Sequence, residues 1–132
     1  MPHYIALLAK AYEIAGQIEE AVILLDEALQ IAERTGARWF AAELNRYKGQ
    51  SRQEQGHTEA AERLYRKALS IAEAQGAKLW ELRAAVSLAR LRRDQGRRGV
   101  ARDLVAPVYS WFTEGFDTPD LKEAKALLDE LR

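Results

Sequence analysis

Few side chains in this sequence combine the type and the spacing that chemistry requires. His3 and His57 are the two histidines, one at the start and one beside a glycine, and no cysteine is present to complete a metal site with them. The carboxylate pairs Asp26-Glu27 and Asp129-Glu130 fall on the polar faces of amphipathic segments, where solvated surface is the plainer reading. Ser51, Ser70, Ser87 and Ser110 have no neighbouring histidine to activate a hydroxyl. Neither G-x-x-x-x-G-K-[ST] nor G-x-G-x-x-G occurs, so no loop is shaped to cradle a phosphate. The chain is expected to be non-catalytic, with no cofactor and no metal.

One charge cluster stands out: Arg90, Arg92, Arg93, Arg97, Arg98 and Arg102. Asp94 and Asp103 dilute it, and no aromatic side chains interleave with it to stack on bases. Three readings stay open for it, in descending order: solvated surface, a contact for an acidic protein partner or another domain, and nucleic acid. The 20 basic and 20 acidic side chains give a formal charge of zero, so no global field draws the chain to nucleic acid or to an anionic membrane. The lack of cysteine excludes a disulfide framework and is compatible with a reducing cytosol. No apolar run approaches the roughly 18 residues of a membrane span. Met1-Pro2-His3 does not begin a signal peptide, and a cytoplasmic location is expected.

The elements that must position these groups repeat. Gly16 to Gly36 (GQIEEAVILLDEALQIAERTG) recurs as Gly56 to Gly76 (GHTEAAERLYRKALSIAEAQG), with Ala21 matching Ala61, Leu24 matching Leu64, Ala28 matching Ala68 and Ile31 matching Ile71. A third copy starts at Gly96 and keeps Ala101 and Leu104. The offset is 40 residues, the distance from Gly16 to Gly56. A fixed period of about 20–50 residues means stacked repeats. One helical hairpin cannot bury its apolar face alone, whereas stacked neighbours share a core.

Apolar spacing predicts helices over 3–15, 18–34, 37–55, 77–95 and about 100–112, with a fourth-period helix over 121–131. Between Gly56 and Gly76, Thr58 fits a helix N-cap. Thr118-Pro119 is the start signal of the last helix, and Pro107 should kink the helix that contains it. Small Ala21, Ala28, Ala61 and Ala68 should sit at close helix contacts. Trp39, Phe40, Leu79, Trp80, Trp111 and Phe116 are expected in the core or between repeats.

The residues at these spacings resemble the tetratricopeptide (TPR) repeat. Its small–aromatic–Gly–Ala–large–Ala pattern is met by Ala9, Tyr12, Gly16, Ala21, Leu25 and Ala28. It is met again by Gly49, Gly56, Ala61, Tyr65 and Ala68, with Arg52 in place of the aromatic. The third copy keeps Ala89, Gly96 and Ala101 but departs at Arg92, Val105 and Val108. The resemblance implies an all-α, right-handed superhelical solenoid of three hairpins (2–36, 37–76 and 77–116) and a C-terminal capping helix over 118–131, one domain in all. More narrowly, the phrase WFTEGFDTPDLKEAKALLDEL at Trp111–Leu131 resembles the tail of bacterial regulators that carry a cyclase or other output domain before a P-loop ATPase. That resemblance implies a non-catalytic interaction or regulatory module whose partner is a protein, a peptide or another domain of a longer parent chain. Nucleic acid and membrane are not expected as partners.

In TPR arrays the first helix of each hairpin lines the concave surface where extended peptides lie. Mapped onto this chain, that groove comprises Leu7, Lys10 and Ile14, then Glu43, Arg46, Tyr47, Gln50 and Gln53, then Arg83, Ser87, Arg90 and Arg93. It would be apolar at one end and basic at the other, and the implied ligand is an acidic segment. The carboxylate clamp of co-chaperone TPRs is not expected, since its positions hold Ala6, Lys10, Tyr47, Arg83 and Ser87. In the 40-residue register Met1 aligns with Ala41, so the first repeat reads as cut from a longer array or, alternatively, as naturally short. The surface around Tyr4, Ile5 and Leu8 is expected to mediate weak self-association.

Overall fold

A computed structural model of the chain describes residues 16–35 and 40–132, without the side chains at 32, 33 and 35. The expected helix over 3–15, the groove residues Leu7, Lys10 and Ile14, the Tyr4–Leu8 surface and Trp39 lie outside the described residues. The described residues are all helical or connecting, with no strand among them. The helices are α1 (Ile18–Thr35), α2 (Ala41–Glu54), α3 (Thr58–Gln75), α4 (Lys78–Asp94), α5 (Arg98–Trp111) and α6 (Pro119–Glu130).

Glycine turns the chain between them. At Gly76 (φ 66°) the N–H of Ala77 donates to the carbonyl of Ala72 at 2.9 Å and that of Gly76 to Glu73 at 3.1 Å. Gly56 and Gly96 close α2 and α4 with the same pair of bonds, from His57 to Arg52 and from Arg97 to Arg92. Each is a left-handed helix ending that satisfies two orphan carbonyls, and a side chain there would strain it.

The pairs α2–α3 and α4–α5 are the two fully described hairpins. The first helices α2, α4 and α6 are successive neighbours along one side of the stack, and α1 leans on α2. Helix α4 is buried almost all round because α2, α3, α5 and α6 surround it. Its Leu82, Ala85, Val86 and Ala89 join Ala101, Val105 and Val108 of α5 and Leu121, Ala124, Leu127 and Leu131 of the last segment in one core. Val105 and Val108 are buried although they depart from the repeat pattern. Toward the N-terminal end Ala21, Leu25 and Ala28 pack with Phe40 and Leu44, and Phe40 meets Trp80 edge-on at 5.8 Å. Ala61 and Tyr65 link the hairpins through Leu88 and Leu91.

Glycine at position 49 has a packing cause. A Cβ built there would stand 2.7 Å from Cε1 and 2.8 Å from Cδ1 of Tyr65. The Tyr65 ring is buried, and its hydroxyl donates to Gln53 Oε1 at 2.7 Å, so it cannot swing away. In the next hairpin the same two positions hold Ala89 and Val105, the smaller partner allowing the larger residue.

Two expectations need correction, on Thr58 and on the exposed apolar side chains. Thr58 is the first residue of α3, His57 takes the cap position, and no side chain caps it. Thr118 holds the cap position of α6 with Pro119 following, as expected, and its hydroxyl donates back to the Gly115 carbonyl at 2.7 Å. Leu79 is exposed, as are Trp111 (58%) and Phe116 (46%), while Leu121, Ala124, Leu127 and Leu131 fill the core beside α5. Trp111 leans on Phe112, and Phe116 on Tyr109. Helix α5 continues through Pro107 to Trp111; Asp103 and Pro107 are both exposed, so water can serve the carbonyl that the proline leaves unpaired.

Gly49→Ala should cost about 1–3 kcal/mol by overpacking, against the roughly 1 kcal/mol gain that alanine brings to an unhindered helix interior. Urea melts would show that cost shrinking in a Tyr65→Leu background. Ala68→Leu should likewise cost about 1–3 kcal/mol, and the exposed Lys67→Gln under about 0.5. Equal shifts for Ala68→Leu and Lys67→Gln would refute the packing register.

Candidate functional site

The site grows from one buried acid. Glu43, in the first turn of α2, has a side chain 1% exposed. Arg46, one turn on, grips it with Nε at 2.6 Å and Nη2 at 3.2 Å. Arg83 reaches across from α4 and donates Nη1 to Glu43 Oε1 at 2.5 Å. Its Nε and Nη2 both reach Oδ2 of Asp120 at the start of α6, at 3.0 and 2.9 Å. Burial pulls the Arg83 guanidinium toward neutrality, but hydrogen bonds to Asp120 and Glu43, with their charges, outweigh it and hold the group above the usual arginine range.

The same two helices pair further along. Arg90 meets Glu123 at 3.4 Å, and Arg93 meets Glu130 at 2.7 Å and Asp94 at 3.2 Å. The hydrogen bond to Glu130 is the main reason that Arg93 too is held above its ordinary value. Arg98 donates to the Glu130 backbone carbonyl.

Between α2, α4 and α6 these side chains enclose a cavity of about 420 Å³. Arg46, Tyr47 and Gln50 form one wall, Arg83, Ser87 and Arg90 another, and Leu82 and Val86 the apolar part, with Asp120 and Glu123 closing the far side. The Arg46 guanidinium lies 4.9 Å from the Tyr47 ring centre. Six of the expected groove residues are thus brought together. Glu43 lies buried behind them, Gln53 is engaged by the Tyr65 hydroxyl, and Arg93 sits a turn further along α4.

The sequence reading did not include Asp120, Glu123 and Glu130 in the site. A signal was there: in the 40-residue register Glu43, Arg83 and Glu123 are equivalent and alternate in sign. The arginine run is mostly consumed internally. Arg92 is buried, paired with Glu62 and donating to Gln95 Oε1 at 3.0 Å, and Arg52 makes the equivalent bond to Gln55 at 3.2 Å. Among the described residues Arg97 and Arg102 form no ion pair. No group of three or more metal-ligating side chains, and no helix long and apolar enough to cross a membrane, occurs among the described residues.

A tetratricopeptide repeat family model matches residues 3–74. The chain belongs to the tetratricopeptide repeat family. Among solved structures it is similar to the kinesin light chain nearly identical TPR-like repeats of Podosopora anserina, at 21% identity and a TM-score of 0.80, covering 99% of this chain and 66% of that one. It is also similar to BtubC (BKLC) of P. vanneervenii, at 17% identity and a TM-score of 0.74, covering 98% of this chain and 61% of that one. At these identities the likeness is one of fold. This chain spans somewhat less than two thirds of each of those chains. No curated protein matches it.

Removing Arg83 leaves Glu43 to Arg46 alone and Asp120 without its partner, so Arg83→Met should lower stability by about 1–3 kcal/mol. Arg90→Met, which breaks an exposed pair, should stay under about 1 kcal/mol. Chemical denaturation of the two variants compares them. A charge reversal at Arg83 is therefore a poor probe of binding, since it would also place a like charge beside Glu43. Equal losses for the two methionine variants would overturn the bridging role.

Proposed function

We propose that this chain is a non-catalytic protein-interaction scaffold that seats an extended peptide in the cavity between α2, α4 and α6. The observation that carries this reading is the convergence of Arg46, Tyr47, Gln50, Arg83, Ser87 and Arg90 from two successive first helices around the Leu82 and Val86 wall. The lining is mainly polar and charged, with Leu82 and Val86 as the apolar part, which suits a ligand rich in hydrogen-bonding groups such as a peptide backbone. The cavity's three arginines face Glu43, Asp120 and Glu123, so a peptide there meets both signs. Recognition then rests on hydrogen bonding and fit more than on net charge. An acidic ligand has to compete with Asp120 and Glu123.

The context we propose is a bacterial, cytoplasmic signalling protein in which this scaffold follows cyclase or ATPase domains. The tail phrase at Trp111–Leu131 supports it. The ligand is then a segment of the same parent chain or of its target, and the scaffold regulates by holding or releasing it. A stand-alone adaptor is the competing arrangement. The reading frame upstream of Met1 separates the two: an in-frame stop codon directly before it would defeat the multidomain context and leave the groove reading intact.

The groove is tested by titrating the labelled protein with overlapping peptides copied from that upstream frame. Arg90→Glu leaves the core untouched and should weaken the best binder about ten-fold, or 1.4 kcal/mol, with chemical shifts concentrated on α2 and α4. A binder indifferent to both Arg90→Glu and Tyr47→Ala would remove this cavity as the peptide seat.

A further inference from the structure

A second concavity lies on the opposite flank of α2. Lys48 and Arg52 stand two residues beyond Arg46 and Gln50, about 200° round the helix. They line a cleft of about 330 Å³ that faces α3. Its other wall comes from α3, where Arg63 and Lys67 form the rim and Ala60 and Leu64 the floor, with His57 at the turn.

The charges here are arranged unlike those of the peptide cavity. Among the described residues no carboxylate lines the cleft. Lys48 is paired with Asp26 of α1, and Arg52 donates to the neutral Gln55. Arg63 and Lys67 are exposed and make no ion pair or hydrogen bond among the described residues. The repeat itself does not demand these cations. Forty residues on, Lys48, Arg63 and Lys67 are replaced by Leu88, Asp103 and Pro107, and Leu88 is buried. A local excess of positive charge in a chain of zero net charge, set over an apolar floor, is complementary to an acidic and apolar ligand.

We propose that this cleft binds an acidic peptide segment in extended conformation, at a site separate from the cavity between α2, α4 and α6. Arg63 and Lys67 are four residues apart on α3, a rise of about 6 Å. Alternate side chains of an extended chain are about 6.6 Å apart. Carboxylates at every second residue share one face of such a chain and therefore meet both cations in turn. Arg52 extends the cationic rim along α2. An isolated phosphate lacks the length to use both cations.

The test uses the full chain and a fluorescein-labelled peptide of alternating glutamate and leucine, followed by anisotropy at low and at physiological salt. The peptide should bind, more weakly as salt rises, and the matching glutamine–leucine peptide should not. Arg63→Glu with Lys67→Glu should weaken binding at least about ten-fold, and Arg90→Glu should leave it unchanged. Both changes are on exposed side chains; circular dichroism verifies the fold, and Arg63→Gln with Lys67→Gln gives a second variant free of new repulsion. Equal affinity for wild type and both double variants would overturn the proposal. A loss confined to Arg90→Glu would place the peptide in the other cavity and overturn it equally. Displacement by inorganic tripolyphosphate at lower concentration than by unlabelled peptide would make the cleft an anion site and defeat the peptide assignment.

Discussion

A carboxylate removed from water has to be met by cations or it destabilises the fold, and Glu43 is such a carboxylate. Helix α2 supplies Arg46 from its own next turn, which ties nothing to anything else. The second partner, Arg83, comes from α4, and that choice fixes how the two first helices lie against each other. A guanidinium has five donors in a planar fork. With Nη1 spent on Glu43, Arg83 still offers Nε and Nη2, and Asp120 takes both. One alternating line of charge thus runs through α2, α4 and α6. Apolar burial drives the stack together but has no direction; the ion pairs discriminate among the ways in which neighbouring helices could slide.

The size of each inward residue adds a second constraint, and the two act on different sides of α2. Gly49 admits the Tyr65 ring, and Tyr65 in turn packs with Leu88 and Leu91 of the following hairpin. A residue that looks like a helix weakener therefore serves the contact between repeats. The Tyr65 hydroxyl, which would be costly to bury alone, is satisfied by Gln53 on α2.

Much of this was legible in the sequence, because a 40-residue period, left-handed glycines and a 3.6-residue apolar rhythm are all local signals. The positions of α1 to α6 and the alanines at their contacts follow from them. The partners of α6 do not. Taken alone, α6 shows an apolar face and a charged face, and nothing in its own periodicity says that Asp120, Glu123 and Glu130 will lie along α4. Only the alternation of Glu43, Arg83 and Glu123 across the repeat hints at it. The exposed Trp111 and Phe116 mislead for the converse reason: residue type argues for burial, while the core beside α5 is filled by Leu121, Ala124, Leu127 and Leu131. The basic cleft is hidden because its cations come from two helices, each of which reads separately as an ordinary solvated face.

The anchoring of α6 also bears on what the inner cavity can select. Leu121, Ala124, Leu127 and Leu131 hold this segment in the core, so Asp120 and Glu123 are part of the cavity's own wall. The cations of the groove are therefore balanced by the helix that follows them in the chain. In a repeat array this is a general consequence of stacking: each first helix presents its groove face beside the next first helix, and the charge of the groove is a property of the pair. A zero net charge over the whole chain then says little about either surface. On the inner side it reflects matched neighbours; in the cleft between α2 and α3 Lys48 is matched by Asp26, but Arg63 and Lys67 of α3 are left facing solvent.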